Sequence, residues 1–363
     1  MRYDIQPGGQ PAYMQLYRCL RDDITAGVYP CGAKLPGKRV IAAETGVSVV
    51  TVEHACAILC DEGYIESRQR SGNFVIYRDT DGFAVLPAAE NAPPAPPPRA
   101  AQGDFPFSVF ARTMRRVLSR YGEALLVKSP DNGLPELRRA IAAYLARSRG
   151  ILVQPEQIVI GSGAEYLYSL LAQLFRGERF ALEDPSYEKI RRVYLANGVD
   201  CELLRLGPDG IRSDELSRAC AAILHVTPFN SFPSGVTASA SKRREYVRWA
   251  RQHGGYIIED DFDSEFTIST KPEETIFSLE PERTVIYLNT FSKTIAPSVR
   301  VGYLVLPPAL TERFRETVGF YSCTVPVFEQ YVLAEFIANG DFERHINRVR
   351  RKRRREQSQV AKN

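Results

Sequence analysis

The sequence N-T-F-S-K-T-I-A-P-S-V-R-V-G-Y-L-V-L-P occupies residues 289–307 and surrounds Lys293 with phosphate-binding residue types. Thr290 and Ser292 stand just before the lysine, and Arg300 follows it. A lysine that attacks an aldehyde must be partly neutral, and burial beside another cation lowers its pKa toward that state. Hydroxyl groups and an arginine are common phosphate ligands. Together these residues predict a site for pyridoxal phosphate, which carries both an aldehyde and a phosphate.

Three other stretches have patterns that suit the same cofactor. Residues 256–261 predict a buried strand that ends in a carboxylate cluster with Asp260 and Asp261, and an aspartate against a pyridine nitrogen keeps that nitrogen protonated. Residues 158–164 predict a strand that runs into a helix, where backbone N–H groups suit a phosphate. Tyr187 follows another predicted strand end, where its ring could lie on the cofactor. A surface lysine gives the same local pattern as Lys293, so the prediction depends on all four stretches together.

The composition is that of an ordinary globular protein, with 44% hydrophobic and 25% charged residues among 363. This length predicts two or three domains. The 7 cysteines are scattered and only 4 histidines accompany them, which argues against a metal site and predicts reduced thiols in a cytoplasm. Neither a signal peptide nor a membrane span is predicted. The net charge of +4 allows a local basic patch without demonstrating a nucleic-acid partner.

Residues 1–78 predict a small separate domain of three helices and a basic hairpin. Apolar residues recur at helical spacing, and Ser48 stands at the position of a helix N-cap. This layout is typical of a winged helix-turn-helix, whose third helix enters the major groove. A small helical bundle with a solvated hairpin would have the same pattern. The helices are predicted at residues 11–26, 38–45 and 49–61, and the hairpin at residues 63–76.

A linker and a larger α/β domain are predicted after the first domain. Residues 79–103 contain the run N-A-P-P-A-P-P-P-R, which predicts a semi-rigid linker of about 3.1 Å per residue; a ligand for another module is the alternative. Strands and helices alternate within residues 104–350, which predicts a mostly parallel sheet with helices on both faces. The basic and polar residues 351–363 most simply form a solvated helix face and a frayed tail, with nucleic-acid contact as the alternative.

Three runs in the first domain resemble the GntR family of bacterial regulators. They are G-x-Y-P-x-G-x-x-L-P-x-x-R at 27–39, G-V-S-x-x-T-V at 46–52 and E-G-Y-I at 62–65. Relatives often carry an arginine and a polar residue where this chain has Val49 and Val50, and valine can contact only a thymine methyl group. Either the DNA operator differs or base readout there is weak. The DNA contacts implied by the resemblance are Arg39, Ser48, Val49, Thr51, Arg68, Arg70 and Gly72.

The four cofactor-type stretches, in their order, resemble the fold-type-I (aspartate aminotransferase-like) enzymes from about residue 104 to 350. The resemblance implies a Schiff base at Lys293 and a pairing of Asp260 with the pyridine nitrogen, with Asp261 as the alternative. It also implies that Tyr187 stacks on the cofactor ring. The remaining cofactor contacts that it implies are Ser162, Gly163, Ala164, Thr290, Ser292 and Arg300.

The chain departs from those enzymes in its partners for the ring hydroxyl and at its C-terminal end. An asparagine and a tyrosine that commonly bind the hydroxyl are replaced by Phe232 and Phe262, although Asn230 is near enough in sequence to substitute. The loss of these donors would raise the pKa of the Schiff base and slow its exchange. The small subdomain that closes the site is expected to be mostly missing, as in a truncated product or a half-open variant. Lys189 is then the only candidate ligand for a substrate carboxylate.

A GntR-type head joined by a linker to an aminotransferase-like domain resembles the MocR subfamily of transcriptional regulators. The resemblance implies a regulator that senses pyridoxal phosphate or an amino compound, binds double-stranded DNA and acts as a homodimer. Two alternatives remain open. One is an active aminotransferase with a fused DNA-binding domain, and the other is a DNA-binding dimer whose second domain is only a scaffold.

Overall fold

Two compact units make up the chain, and they divide between residues 99 and 100. The predicted linker lies outside the described residues, as do Arg70 and Phe262. The computed structural model describes residues 3, 5, 6, 10–69, 71–78, 105–261, 264–266 and 274–360, with residues 357–360 described for their backbone only.

The first unit has the helices and the hairpin that its sequence predicts. Its elements are α1 (Ala12–Thr25), α2 (Lys38–Thr45), α3 (Val49–Asp61), β1 (Ile65–Arg68) and β2 (Gly72–Val75). Leu20 and Leu59 are fully buried in the core that the three helices share. The Ser48 hydroxyl accepts a hydrogen bond from the Thr51 backbone N–H at 3.1 Å, which fixes the start of α3. The two strands pair antiparallel and form the wing.

The second unit contains one mixed sheet of eight described strands. They are β3 (Ile158–Gly161), β4 (Phe180–Asp184), β5 (Cys201–Gly207), β6 (Gly210–Ile211), β7 (Ile223–Val226), β8 (Tyr256–Asp260), β9 (Val285–Thr290) and β10 (Gly302–Val305). Their spatial order is β3-β10-β9-β8-β7-β4-β5-β6. The central strands β9, β8, β7, β4 and β5 are parallel, whereas β10 runs antiparallel to both of its neighbours. This sheet confirms the predicted mostly parallel α/β class.

Helices cover both faces of this sheet and bury two separate apolar layers. The helices are α4 (Phe107–Tyr121), α5 (Pro135–Arg149), α6 (Ala164–Leu174), α7 (Glu188–Ala196), α8 (Ser213–Arg218), α9 (Ala240–His253), α10 (Ile276–Leu279), α11 (Pro308–Thr317), α12 (Val327–Ala338) and α13 (Asp341–Val360). The first layer packs against α5, α12 and α13, and the second against α6, α7 and α11. The basic segment predicted as a tail from residue 351 is part of α13, which continues to Val360.

The alternation of side chains along β8 sends neighbouring residues to opposite layers. Ile257 belongs to the first layer and Ile258 to the second. Past the strand end, Asp261 continues on the side of the first layer, where it forms an ion pair of 2.6 Å with Arg149, the last residue of α5. Both side chains of this pair are almost fully buried. The pair therefore ties the end of α5 to the end of β8.

In the described part of the chain, no single helix is long and apolar enough to cross a bilayer. Only α2 and α3, taken together across a bend of 116°, have the length and composition of a membrane span. One apolar face of each helix, which includes Ile41 and Val52, is buried in the core of the first unit.

Replacing Arg149 with alanine should lower the free energy of unfolding of the second unit by about 3–5 kcal/mol, because Asp261 would remain buried without its cation. Urea unfolding followed by the fluorescence of Trp249, the single tryptophan, measures this loss. Arg147→Ala on the same helix is the matched control, since its ion pair with Glu343 is exposed and should contribute less than about 1 kcal/mol. Equal losses in the two variants would contradict the assignment.

Candidate cofactor site and nucleic-acid interface

A cavity of about 250 Å³ lies at the edge of the sheet where the parallel strands β8 and β9 end. Asp260 and Lys293 both line it, so the carboxylate and the amine lie on the same face of the sheet. The cavity brings together residues that are more than a hundred positions apart in the chain. The lining residues that the sequence predicts as cofactor contacts are Ala164, Tyr187, Asp260, Thr290, Ser292, Lys293 and Arg300. The other lining residues are Glu165, Tyr168, Ile190, Thr227 and Phe232.

The Asp260 carboxylate is buried and has one satisfied and one unsatisfied oxygen. Its Oδ2 accepts a hydrogen bond from the Tyr168 hydroxyl, and His225 Nε2 lies 3.5 Å from the same oxygen. Burial, together with the Asp260 charge, raises the pKa of Tyr168 well above its usual value, so this hydroxyl stays protonated. Oδ1 has no hydrogen-bond partner among the described residues. A buried carboxylate oxygen without a partner is costly, and an N–H group from a bound ring would satisfy it.

Asp261, the alternative to Asp260, does not line the cavity. Its carboxylate lies on the opposite side of the sheet, where Arg149 and the Tyr287 hydroxyl bind Oδ2 at 2.6 and 2.7 Å. Two successive residues of an extended chain point to opposite faces. Of the two carboxylates, Asp260 is therefore the one that shares a cavity with Lys293.

The start of α6 and Arg300 lie side by side and form a candidate anion site. Gly163 precedes α6 with a φ of 88°, and a Cβ atom there would lie 2.9 Å from the Arg300 guanidinium. Arg300 forms an ion pair with Glu165 in the first turn of α6, and Lys189 Nζ lies 3.5 Å from the same side chain. Helix N-termini attract anions through their unpaired N–H groups. The φ of 88° at residue 163 favours glycine, because L side chains rarely adopt this backbone conformation.

Four residues differ in position from what the sequence predicts. Lys293 is exposed, so the expected burial of its side chain is not observed. Asn230, the proposed substitute ligand for a ring hydroxyl, is exposed and is not among the lining residues, whereas Phe232 lines the cavity. The Phe232 ring meets the Tyr187 ring edge-on at 6.1 Å. Ser162 and Gly163 lie at the start of α6 without lining the cavity.

Sequence reasoning missed two residues that contact the Asp260 carboxylate, Tyr168 and His225. Tyr168 lies one turn into α6, four residues after Ala164, and His225 interrupts the apolar strand β7. The Tyr194 hydroxyl and His225 Nδ1 form a hydrogen bond of 2.7 Å. A histidine inside a buried strand is the one signal that the sequence offered, because buried polar groups require partners.

The candidate nucleic-acid interface consists of α3 and the wing of the first unit. Val49 and Val50 at the start of α3 have 40% and 72% of their surface exposed. In the wing, the Arg68 guanidinium lies 4.6 Å from the centre of the Phe74 ring and 3.3 Å from Glu66. Arg39, Ser48 and Thr51 are solvent-accessible, and Gly72 turns the hairpin with a φ of 108°. Arg70 lies outside the described residues.

The fold and these two sites define a DNA-binding regulator with an aminotransferase-like domain. Residues 12–75 match the profile of bacterial regulatory proteins of the gntR family, and residues 101–362 match that of aminotransferase class I and II. The chain belongs to the GntR-family transcriptional regulators of the MocR type, and this family membership confirms the resemblance noted in the sequence.

Regulators from several bacteria resemble the chain over nearly its whole length. The uncharacterized HTH-type transcriptional regulator YdeL of Bacillus subtilis is 34% identical over 96% of this chain and 78% of its own length. The probable rhizopine catabolism regulatory protein MocR of Rhizobium meliloti is 32% identical over 94% and 74%. The pyridoxine biosynthesis transcriptional regulator PdxR of Corynebacterium glutamicum is 31% identical over 95% and 77%.

Solved aminotransferases share the fold of the second unit. A kynurenine aminotransferase from Pyrococcus horikoshii is 26% identical and superposes with a TM-score of 0.63 over 70% of this chain and 66% of its own. An archaeal alanine:glyoxylate aminotransferase, 24% identical with a TM-score of 0.61 over 67% and 62%, shows the fold alone.

Replacing Arg68 with alanine should weaken binding to all DNA sequences and reduce the salt slope of log K by about one, because one phosphate contact is lost. Fluorescence anisotropy with labelled duplexes at several salt concentrations measures both effects. Arg18→Ala, an exposed arginine on α1, is the matched control and should change neither. An Arg68→Ala variant with unchanged affinity at low salt would rule out the wing contact.

Proposed function

We propose that this protein is a cytoplasmic, homodimeric transcriptional regulator that binds pyridoxal phosphate at Lys293 and senses the cofactor, an amino compound, or both. The observation that carries the proposal is the shared cavity of Lys293 and Asp260, in which one buried carboxylate oxygen has no partner within the described part of the chain. Family membership supports DNA binding, and the aminotransferase-like fold supports the choice of cofactor. The assignment of each contact rests on the geometry of this chain.

The residues present fit the cofactor at four points. Pyridoxal phosphate supplies an aldehyde that an amine can capture reversibly and a ring that withdraws electrons. Asp260 would hold a proton on the ring nitrogen through its unsatisfied Oδ1, and Lys293 would supply the amine. Arg300 and the first N–H groups of α6 would hold the phosphate, which would compete with Glu165 for the Arg300 guanidinium. Tyr187 would cover one face of the ring.

The switching step would be an exchange of amines at the aldehyde. An amino acid or amine effector that replaced Lys293 would release the lysine and change the contacts of the 291–295 turn. A ligand shifts a protein between two states only through its different affinity for them. Two DNA-binding heads in a dimer would read paired half-sites of an operator. The effector is therefore proposed to alter how well the two heads bind their paired half-sites at the same time.

An active aminotransferase is the second candidate, because Lys293, Asp260 and Arg300 line one cavity as that chemistry would require. Against it, Phe232 stands where the enzymes carry a hydrogen-bonding asparagine, and Asn230 does not line the cavity. At that position Phe232 would offer a ring hydroxyl no donor to tune the pKa of the bound amine. The regulator is therefore the function that the site supports better.

Replacing Lys293 with alanine should abolish covalent attachment of pyridoxal phosphate while leaving basal DNA affinity unchanged. Attachment is measured by borohydride reduction followed by mass spectrometry of the peptide that contains residue 293. The regulator would lose its response to cofactor and amines, an enzyme would lose turnover, and a scaffold would lose nothing. Lys128→Ala, an exposed lysine outside the cavity, should behave as wild type. Attachment at another lysine would exclude the proposed site.

Replacing Asp260 with asparagine should weaken binding of pyridoxal phosphate about 10- to 100-fold, because a hydrogen bond to a charged group is worth about 1.5–3 kcal/mol. Equilibrium dialysis of the full-length chain measures the affinity. Asp184→Asn, at the exposed end of β4, removes the same charge outside the cavity and should have no such effect. A wild-type affinity in the Asp260 variant would show that this carboxylate does not face the ring.

A further inference from the structure

Helix α13 contacts the turn that carries Lys293 through one buried histidine. His345 Nε2 lies 2.8 Å from the Thr294 backbone oxygen, across 51 positions of sequence. A carbonyl oxygen only accepts, so Nε2 is the protonated, donating nitrogen. His345 and Thr294 retain only 3% and 2% of their surface. A hydrogen bond in such a buried place fixes the backbone next to Lys293, because water cannot replace either partner.

The aromatic surroundings of His345 hold its ring in one orientation. Phe105 meets the imidazole edge-on at 5.3 Å, and Phe266 does so at 6.3 Å. Two positions before Lys293, the Phe291 ring packs against the Phe342 ring with their centres 5.6 Å apart, and Phe342 also belongs to α13. The helix therefore contacts the turn on both sides of the lysine.

Backbone hydrogen bonds also shape the turn around the lysine. The Ile295 N–H donates to the Phe291 carbonyl at 2.9 Å, and the Phe291 N–H donates to the Val301 carbonyl at 2.8 Å. The Lys293 side chain itself is exposed to solvent. The reach of its amine depends on the backbone on either side.

The same helix also contacts the segment that follows β8. Arg350 Nε donates to the Glu265 carbonyl at 2.5 Å, and the Glu265 side chain accepts from Asn289 Nδ2 at 2.6 Å. Asn289 Oδ1 in turn accepts from the Thr290 N–H at 2.5 Å. One helix thus contacts the segments beyond both strands that lead to Asp260 and Lys293.

We propose that His345 is a positioning residue for the reaction of Lys293 with an aldehyde. By holding the Thr294 carbonyl, it sets where the Lys293 amine stands relative to the Asp260 carboxylate across the cavity. This inference rests on the proposed attachment of pyridoxal phosphate at Lys293. A displacement of about 1 Å in a reacting group can slow a reaction about 100-fold, so the contact should affect the rate of attachment more than the binding of the phosphate.

Two variants separate this role from a merely structural one. His345→Leu removes the donor, whereas His345→Gln keeps an N–H that can reach the same carbonyl. His253→Leu is the control, since this exposed histidine ends α9 and its Nδ1 lies 2.9 Å from the Trp249 carbonyl oxygen of the same helix. Far-UV circular dichroism shows whether each full-length variant is folded.

The first measurement is the rate of covalent attachment of added pyridoxal phosphate, followed by absorbance and by mass after borohydride reduction. His345→Leu should slow attachment about tenfold or more, and His345→Gln should restore the rate to within about twofold. Competition by inorganic phosphate should be equal in all variants. A folded His345→Leu protein that reacts at the wild-type rate would overturn the proposal, as would equal slowing by leucine and glutamine.

The second measurement is hydrogen exchange of residues 291–299 in protein without added cofactor. His345→Leu should accelerate exchange in this segment, and His345→Gln and His253→Leu should leave it unchanged. If wild-type protein shows no attachment at Lys293, the proposed function fails and the positioning role fails with it, whereas faster exchange would still show the contact. If wild type attaches the cofactor but exchange is unchanged in His345→Leu, only the positioning role fails.

Discussion

The buried carboxylate of Asp260 is the group on which the site of the second unit depends. A carboxylate is stable in a protein interior only when its oxygens have partners, and Tyr168 provides one from α6. The same helix begins at Ala164, beside Arg300. Four helical residues span about 6 Å along the axis, so α6 sets the separation between the ring end and the phosphate end of the proposed cofactor. A change in the register of this helix would disturb both ends together.

The opposite face of the sheet holds a second set of buried acidic residues, and their contacts keep the strand ends in place. Glu259 accepts hydrogen bonds from the backbone N–H groups of Ile276 and Phe277 at 2.8 and 2.7 Å. Asp261 is paired with Arg149. Burial is the main cause that raises the pKa of Glu265 to about 7, and the nearby Asp261 charge is the second cause. Successive acidic residues thus alternate between the two faces, and each face supplies its own partners. The Asp260 carboxylate on one face is thus backed on the other face by one ion pair and by hydrogen bonds to Glu259.

The sequence predicted the elements of the fold better than the distances between side chains. Apolar periodicity and the Ser48 cap located α3 at its observed bounds, because these signals are local. The choice between Asp260 and Asp261 needed knowledge of which helices cover which face, and that depends on contacts such as Arg149 with Asp261 across 112 positions. Tyr168 and His225 were missed for the same reason. The expected burial of Lys293 failed because its turn leaves the side chain exposed while burying the neighbouring Thr294.

The exposure of Lys293 and the place of Phe232 agree better with reversible capture of an amine than with rapid turnover. Fast amine exchange in an enzyme benefits from donors that stabilise charge on the ring hydroxyl, and Phe232 offers none at this cavity. A sensor needs only a ligand that binds one of two states more tightly than the other. A difference in binding free energy of a few kcal/mol is enough to change the populations of the two states. The contacts of α13 with the Thr294 and Glu265 carbonyls provide a physical route for such a change. Movement of the lysine turn would act on that helix directly, because His345 and Thr294 are both buried and cannot exchange their hydrogen bond for water.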